Sequence, residues 1–204
     1  MHHISQGTVV PLWAPTTYPG AVHTPLPVTA LGYVAQSGYQ VVFQRNQLPI
    51  GHYAVHRYGS NGQAVQHLFS AMTAPPLPSV PTHGTAVSLG NGIVGHIEAM
   101  SSTKAYSIVW QEGRWTMAVE YPSGQQAVAT RVAMQTVSYA HGHFLPVPSL
   151  QGWVIEQVGQ SVNTTVAWEQ KSLAFQTTSL GPWNSNMSGG WLSALEMAAT
   201  MRSY

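Results

Sequence analysis

The run Trp115–Tyr121 alternates strictly. Trp115, Met117, Val119 and Tyr121 are large and apolar, while Thr116, Ala118 and Glu120 between them are small or polar. Strand side chains point to opposite faces with period two, so this pattern predicts a strand with one face buried. It lies inside Ser107–Tyr139, which reads as strand, tight turn, strand and helix. Ala105–Trp110 is expected to pair with Trp115–Tyr121 across Gln111–Arg114. Pro122 and Ser123 end the hairpin, and Ser123 is a candidate N-cap. Val128, Val132 and Tyr139 follow at helical spacing, and His141-Gly142 supplies a stop.

The final third repeats this order. Gly152–Val158 and Thr164–Trp168 read as strands, Glu169–Lys171 as a turn and Leu173–Thr177 as the return strand. A helix over Trp191–Met201 then places Trp191, Leu195 and Ala198 on one face. Trp168 echoes Trp110, and Glu169 in its turn echoes Glu112. An internal ββα duplication and a chance likeness of two hairpins are both open readings.

Upstream, Gly38–Arg45 and Gly51–Tyr58 flank Asn46–Ile50, a gap of hairpin length. Gly62–Met72 is a third strand-like run of uncertain type, after a Gly59–Gly62 turn signal. Thr85–Leu89 and Gly92–Met100 flank Gly90-Asn91. The expected class is α+β: antiparallel sheet with two helices, about 124–140 and 190–201, packed on one face. Residues 1–30 are expected to form a Pro-rich extended arm pinned by Trp13 and Tyr18. Residues 31–204 are expected to form a single α+β domain with a sub-boundary at 75–81.

Only 6% of the 204 residues are charged, against about a quarter in ordinary soluble domains. Asp and Cys are absent. Acid destabilises proteins largely by protonating carboxylates that the fold relies on, so a chain with few carboxylates has little to lose. That favours an acidic working environment; a neutral polar exterior of an extracellular β-protein is the plainer reading. The ten His run against acid, since each would charge below about pH 6.5. The missing Cys excludes disulfides, thiolate metal sites and Cys nucleophiles. The missing Asp excludes a Ser-His-Asp triad and an EF-hand. Nothing calls for a cofactor. A net charge of +1 gives no footprint for nucleic acid. No apolar run is long enough for a transmembrane segment. The chain opens on Met1-His2-His3 and a polar, Pro-rich stretch, so a signal segment is expected to be absent from it.

Few residues invite chemistry. His141 and His143, at i and i+2, would face one way in extended backbone and could chelate a transition metal with a third ligand such as His67, His83 or His96; a helix-ending His beside a loop His is the alternative. His52 and His56 on a strand stand about 13 Å apart, too far to share one ion. Glu112 and Glu169 could serve a carboxylate hydrolase only by facing one cleft. Trp183, Asn184 and Trp191 are the candidate ligand-binding residues, Trp183 as an exposed loop aromatic. The competing reading puts large aromatics in the core.

The run Trp110–Gly124, with its W-x-E-G-x-W hairpin, and the terminal Leu195–Met201 resemble small exported or lipid-anchored proteins of Gram-positive bacteria. The matching positions are Trp110, Glu112, Gly113, Trp115, Val119, Leu195 and Ala198, over roughly the last half of the chain. The resemblance implies export, with structural roles for these residues. The low charge departs from typical members and points to an acid-living source. The expectation is therefore an extracytoplasmic, non-enzymatic binding or envelope-associated protein adapted to acid, with a cell-surface polymer or protein as partner. Self-association into a surface layer or filament is the alternative, and a metal- or carboxylate-dependent hydrolase the third.

Overall fold

The computed structural model describes residues 7–18, 27–71, 84–100, 104–182 and 190–204. Ten strands form one mixed sheet in the order β2-β3-β4-β11-β10-β9-β8-β7-β6-β5. In chain order these are β2 (Thr29–Ala35), β3 (Gly38–Arg45), β4 (Leu48–Arg57), β5 (Thr85–Gly90), β6 (Ile93–Ala99), β7 (Ala105–Glu112), β8 (Trp115–Pro122), β9 (Gly152–Val158), β10 (Ser161–Gln170) and β11 (Leu173–Pro182). A separate ribbon pairs β1 (Trp13–Pro15) with β12 (Met201–Ser203). Three helices, α1 (Asn61–Ala71), α2 (Gln126–Gly142) and α3 (Ser193–Ala199), complete the described elements, with a 3₁₀ turn at Gly190–Leu192.

The chain is therefore mostly β, which corrects the α+β class with two packed helices. Two long-range pairings make the difference. β4 pairs antiparallel with β11, so the N-terminal strands extend the C-terminal sheet instead of forming their own. β8 and β9 pair in parallel across α2, joining the two antiparallel halves. A sheet with both faces in use needs cover on both, and α1 supplies the second.

The pleat sorts side chains cleanly. One face carries Trp110, Met117, Val119, Val154, Val166, Trp168 and Phe175, and the main core forms between it, α2, α3 and the β1–β12 ribbon. The opposite face carries Trp153, Ile155, Ala167 and Ala174, against Ala64 and Leu68 of α1. The run Gly62–Met72, read as strand-like, is thus helical over its described residues, 62–71. Ser60 caps it, accepting the Gln63 N–H at 3.2 Å on its hydroxyl.

Turn chemistry fixes the register of the hairpins. Asn46 and Gln47 both take positive φ, so β3 and β4 meet through two residues, not the five expected. Pro49 is tolerated inside β4 because β11 pairs only with Gly51–Arg57. Trp110 faces Met117 and Trp168 faces Phe175 in the same register. In that register the counterpart of Glu112 is Gln170, one place beyond Glu169. One place on a strand is the other face. The helix after β8 begins at Gln126 without a side-chain cap, and not at a Ser123 cap, because Gly124 takes φ +87 and belongs to the turn.

The arm is pinned as well as paired. The Trp13 N–H donates to the Tyr39 hydroxyl at 2.5 Å, and that hydroxyl donates to the Trp13 carbonyl at 2.9 Å. Trp13 packs edge-on against Phe175, and Tyr18 stacks on Phe43. β2, unforeseen in the sequence, forms one end of the sheet with all seven residues exposed. The expected sub-boundary at 75–81 lies outside the described residues.

Candidate functional site

The segment between α2 and β9, His143–Gln151, crosses the turn ends of the β7–β8 and β10–β11 hairpins. Both turns hold it. Arg114 donates from one guanidinium nitrogen to the carbonyls of Pro148, at 2.8 Å, and Ser149, at 2.7 Å. The Trp115 indole N–H donates to the Pro146 carbonyl at 3.1 Å. From the other hairpin, the Glu169 carboxylate accepts the Leu150 N–H and the Glu169 carbonyl accepts that of Ser149. Gly152 lets Trp115 close over the segment's exit: a Cβ there would lie 2.7 Å from the indole ring. Pro146 and Pro148 restrict the backbone further.

Held at both ends, the segment presents its apolar side chains outward. Phe144 is 92% exposed and Val147 71%. They form a ridge between two clefts. The first, about 410 Å³, is lined by Glu112, Arg114, Trp115 and Met117 together with the ridge. The second, about 340 Å³, is lined by Trp13, Trp168, Phe175, Met201 and Arg202 on its far side. Trp168 and Phe175 stack at 4.9 Å and 6° as an aromatic floor. Both volumes fall in the range of small-molecule and peptide-side-chain pockets, and apolar lining with a few polar groups is the usual composition of such sites. Glu112 accepts the Trp110 indole N–H at 3.0 Å, and Arg202 is anchored on the Met201 carbonyl at 2.9 Å.

The arrangement offers shape and aromatic surface, with no acid–base pair. Glu112 lines the first cleft, while Glu169 is fully buried on the opposite face of the sheet. Glu156, also fully buried, faces α2, where its carboxyl is pushed up to about 8 by desolvation, against a smaller opposing effect of the Thr136 hydroxyl.

The residues singled out in sequence lie elsewhere. Trp183 and Asn184 lie outside the described residues. Trp191 is 3% exposed in the main core, and its carbonyl accepts the Ser179 hydroxyl at 2.7 Å, which makes it a packing residue. His141 sits in the last turn of α2 and His143 just beyond it, so the extended backbone that would align them is not there. The His143 ring instead stacks on Tyr139 at 4.3 Å and 8°. Among the described residues no three His, Cys, Asp or Glu converge as metal ligands. His52 is held by Thr178 at 2.6 Å, and burial lowers its pKa; burial and then His67 lower that of His56.

Sequence reasoning passed over Phe144, Val147 and Arg114. One signal was present: two prolines and four large apolar residues in Phe144–Leu150, between a helix stop and a strand, mark a stiff apolar loop. No family model matches the chain, and no curated protein or solved structure matches it either.

Proposed function

We propose that this protein is a non-enzymatic binding protein of the extracytoplasmic space, adapted to acidic surroundings, that grips a cell-surface polymer or protein across the Phe144–Val147 ridge. One observation carries the reading: a 92% exposed Phe144, on a segment tied down at both ends, stands between two aromatic-lined clefts. Exposing a large aromatic on a rigid support costs solvation without helping the fold, and such residues are the usual anchors of interfaces. The carboxylates give no competing chemistry, since Glu112 and Glu169 occupy opposite faces. Acid adaptation rests on the 6% charged composition and on Glu156, whose buried carboxyl is best accommodated when protonated. Export is carried by the W-x-E-G-x-W hairpin resemblance alone.

The test is a binding screen at acidic pH against cell-surface polysaccharides and surface proteins, read by intrinsic tryptophan fluorescence and repeated with Phe144→Ala. Truncating a central anchor weakens binding by about tenfold or more. A ligand whose affinity ignores Phe144→Ala would place recognition elsewhere and sink the proposal.

A further inference from the structure

The end strand β2 has a property independent of the clefts. Among the described residues it pairs only with β3, so one row of its backbone donors and acceptors faces outward. All seven of its residues are exposed, including Leu31 at 42%, Tyr33 at 56% and Val34 at 40%. Natural sheets guard such ends with charges, proline, a bulge or a very short strand. β2 has none of these: Thr29–Ala35 reads TALGYVA, with no charge and no proline, and it pairs with β3 without a register shift. The other end of the sheet is different. β5 breaks register between Ser88 and Gly90, and its Leu89 is buried in the main core.

We infer that β2 is a self-pairing edge, and that its partner is β2 of a second copy of this chain, joined antiparallel about a two-fold axis through Gly32. Three features of the strand select this occupant. Antiparallel pairing of two identical strands is closed by a two-fold axis, so the contact is self-complementary and ends at a dimer. Placing the axis at Gly32 uses the full strand and matches its side chains. Leu31 then lies opposite Tyr33 of the second copy on one face, and Ala30 opposite Val34 on the other, each pair in cross-strand contact range. Gly32 meets Gly32 at the axis, where nothing obstructs approach. Finally, the paired strands carry no charge and the chain has a net charge of only +1, so no electrostatic barrier opposes association. The result is one continuous sheet of twenty strands, twice the ten of a single chain. Seven residues a side is a small interface, so the dimer belongs to the weak, concentration-dependent class.

The experiment is light scattering across a concentration series on the full chain, with Leu31→Lys/Tyr33→Lys beside it. Both positions are exposed, so the variant keeps its fold, which its thermal melt verifies. The wild-type mass is expected to rise toward twice 22.0 kDa with concentration, and the variant to stay at 22.0 kDa. The chain has no cysteine, so Gly32→Cys gives an independent reading: a short bis-maleimide should join two Gly32→Cys chains, while Leu48→Cys, at an exposed position away from β2, stays uncrosslinked. A wild type that remains monomeric, a dimer indifferent to the two lysines, or open-ended oligomers in place of a dimer would each overturn the inference.

Discussion

The Thr136 hydroxyl lies 2.7 Å from Glu156 Oε1, and both residues are fully buried between α2 and the sheet. The same hydroxyl is 3.1 Å from the Val132 carbonyl. It has one proton, so it satisfies both contacts best when Glu156 is the donor: carboxyl to hydroxyl, hydroxyl to carbonyl. Glu156 Oε2 and Thr164 Oγ1, on residues that face each other across β9 and β10, have no hydrogen-bond partner among the described residues. Nothing here stabilises a carboxylate apart from the Thr136 hydroxyl.

The sign of the resulting pH dependence follows. Glu156 has a folded-state pKa raised from 4.5 to about 8, so its contribution is fully present below 4.5 and is lost as pH rises through 8. Glu156→Gln, which keeps the size and removes the charge, should unfold at higher urea than the wild type above neutral pH and lose that advantage in acid. Urea midpoints over a pH series check this. A wild type whose midpoint does not fall on the alkaline side would show that the carboxyl is not held neutral.

His52 acts in the opposite direction. Burial lowers its pKa from 6.5, so the stability tied to its neutral form is present above 6.5 and lost as pH falls. His52→Gln can still hydrogen-bond Thr178 and cannot charge. Its stability relative to wild type should therefore improve steadily below pH 6.5. His56, whose pKa burial also lowers, acts the same way, so stability climbs as pH drops from 8 toward 6.5 through Glu156 and then flattens as the two histidines oppose it. Thermal melts of both single variants and the double variant across that range separate them.

How far the sequence disclosed this molecule depended on the range of each signal. The alternation over Trp115–Tyr121 is local, and it correctly groups Trp115, Met117, Val119 and Tyr121 on the main core side, but Thr116 and Ala118 are buried too, so β8 is covered on both faces and not on one. The hairpins about Gly113 and Lys171 were legible for the same reason. Helix α1 carried a readable start, Ser60 followed three places on by Gln63, but the burial of Ala64 and Leu68 alone among its described side chains leaves a faint stripe, so the turn residues were credited and the cap was not. β2 is exposed on both faces and therefore has no periodicity to find. The joining of β4 to β11 depends on residues more than a hundred places apart, which no local pattern encodes. The echo of Glu112 at Glu169 failed by one residue, and a period of two converts that slip into opposite faces. The stiff apolar loop Phe144–Leu150 was marked by its prolines, but the outward turn of Phe144 was not legible, because exposure is a property of the folded surface and not of the residue type.

One hydroxyl joins the arm to the sheet beside its strand pairing and ring contacts. Tyr39 receives the Trp13 N–H and returns a bond to the Trp13 carbonyl, with burial pushing its own pKa to about 12. Tyr39→Phe keeps the ring in the core and leaves both Trp13 backbone groups without this partner, at a cost of about 1–2 kcal/mol. Proteolysis near β1 should accelerate in the variant while the amides of β7 and β8 keep their protection against hydrogen exchange.

Arg114 ties the ridge to the sheet, so it tests support separately from contact. Its two bonds, to the Pro148 and Ser149 carbonyls, are made by a charged donor to a segment with no regular structure of its own. Arg114→Met retains much of the apolar stem that lines the first cleft and removes both bonds. Hydrogen bonds from charged groups contribute about 1.5–3 kcal/mol, and the remaining ties from Trp115 and Glu169 keep the segment from detaching, so the loss should fall at the lower end. The distinguishing measurement is local. Exchange of the Leu150 and Gly152 amides, which bond to Glu169 and to the Arg114 carbonyl, should quicken well before global unfolding does. Ligand affinity should fall in Arg114→Met through slower capture by a loosened ridge, whereas Phe144→Ala loses affinity with both amides still protected. Equal protection in Arg114→Met and wild type would mean that Trp115 and Glu169 alone hold the segment in place.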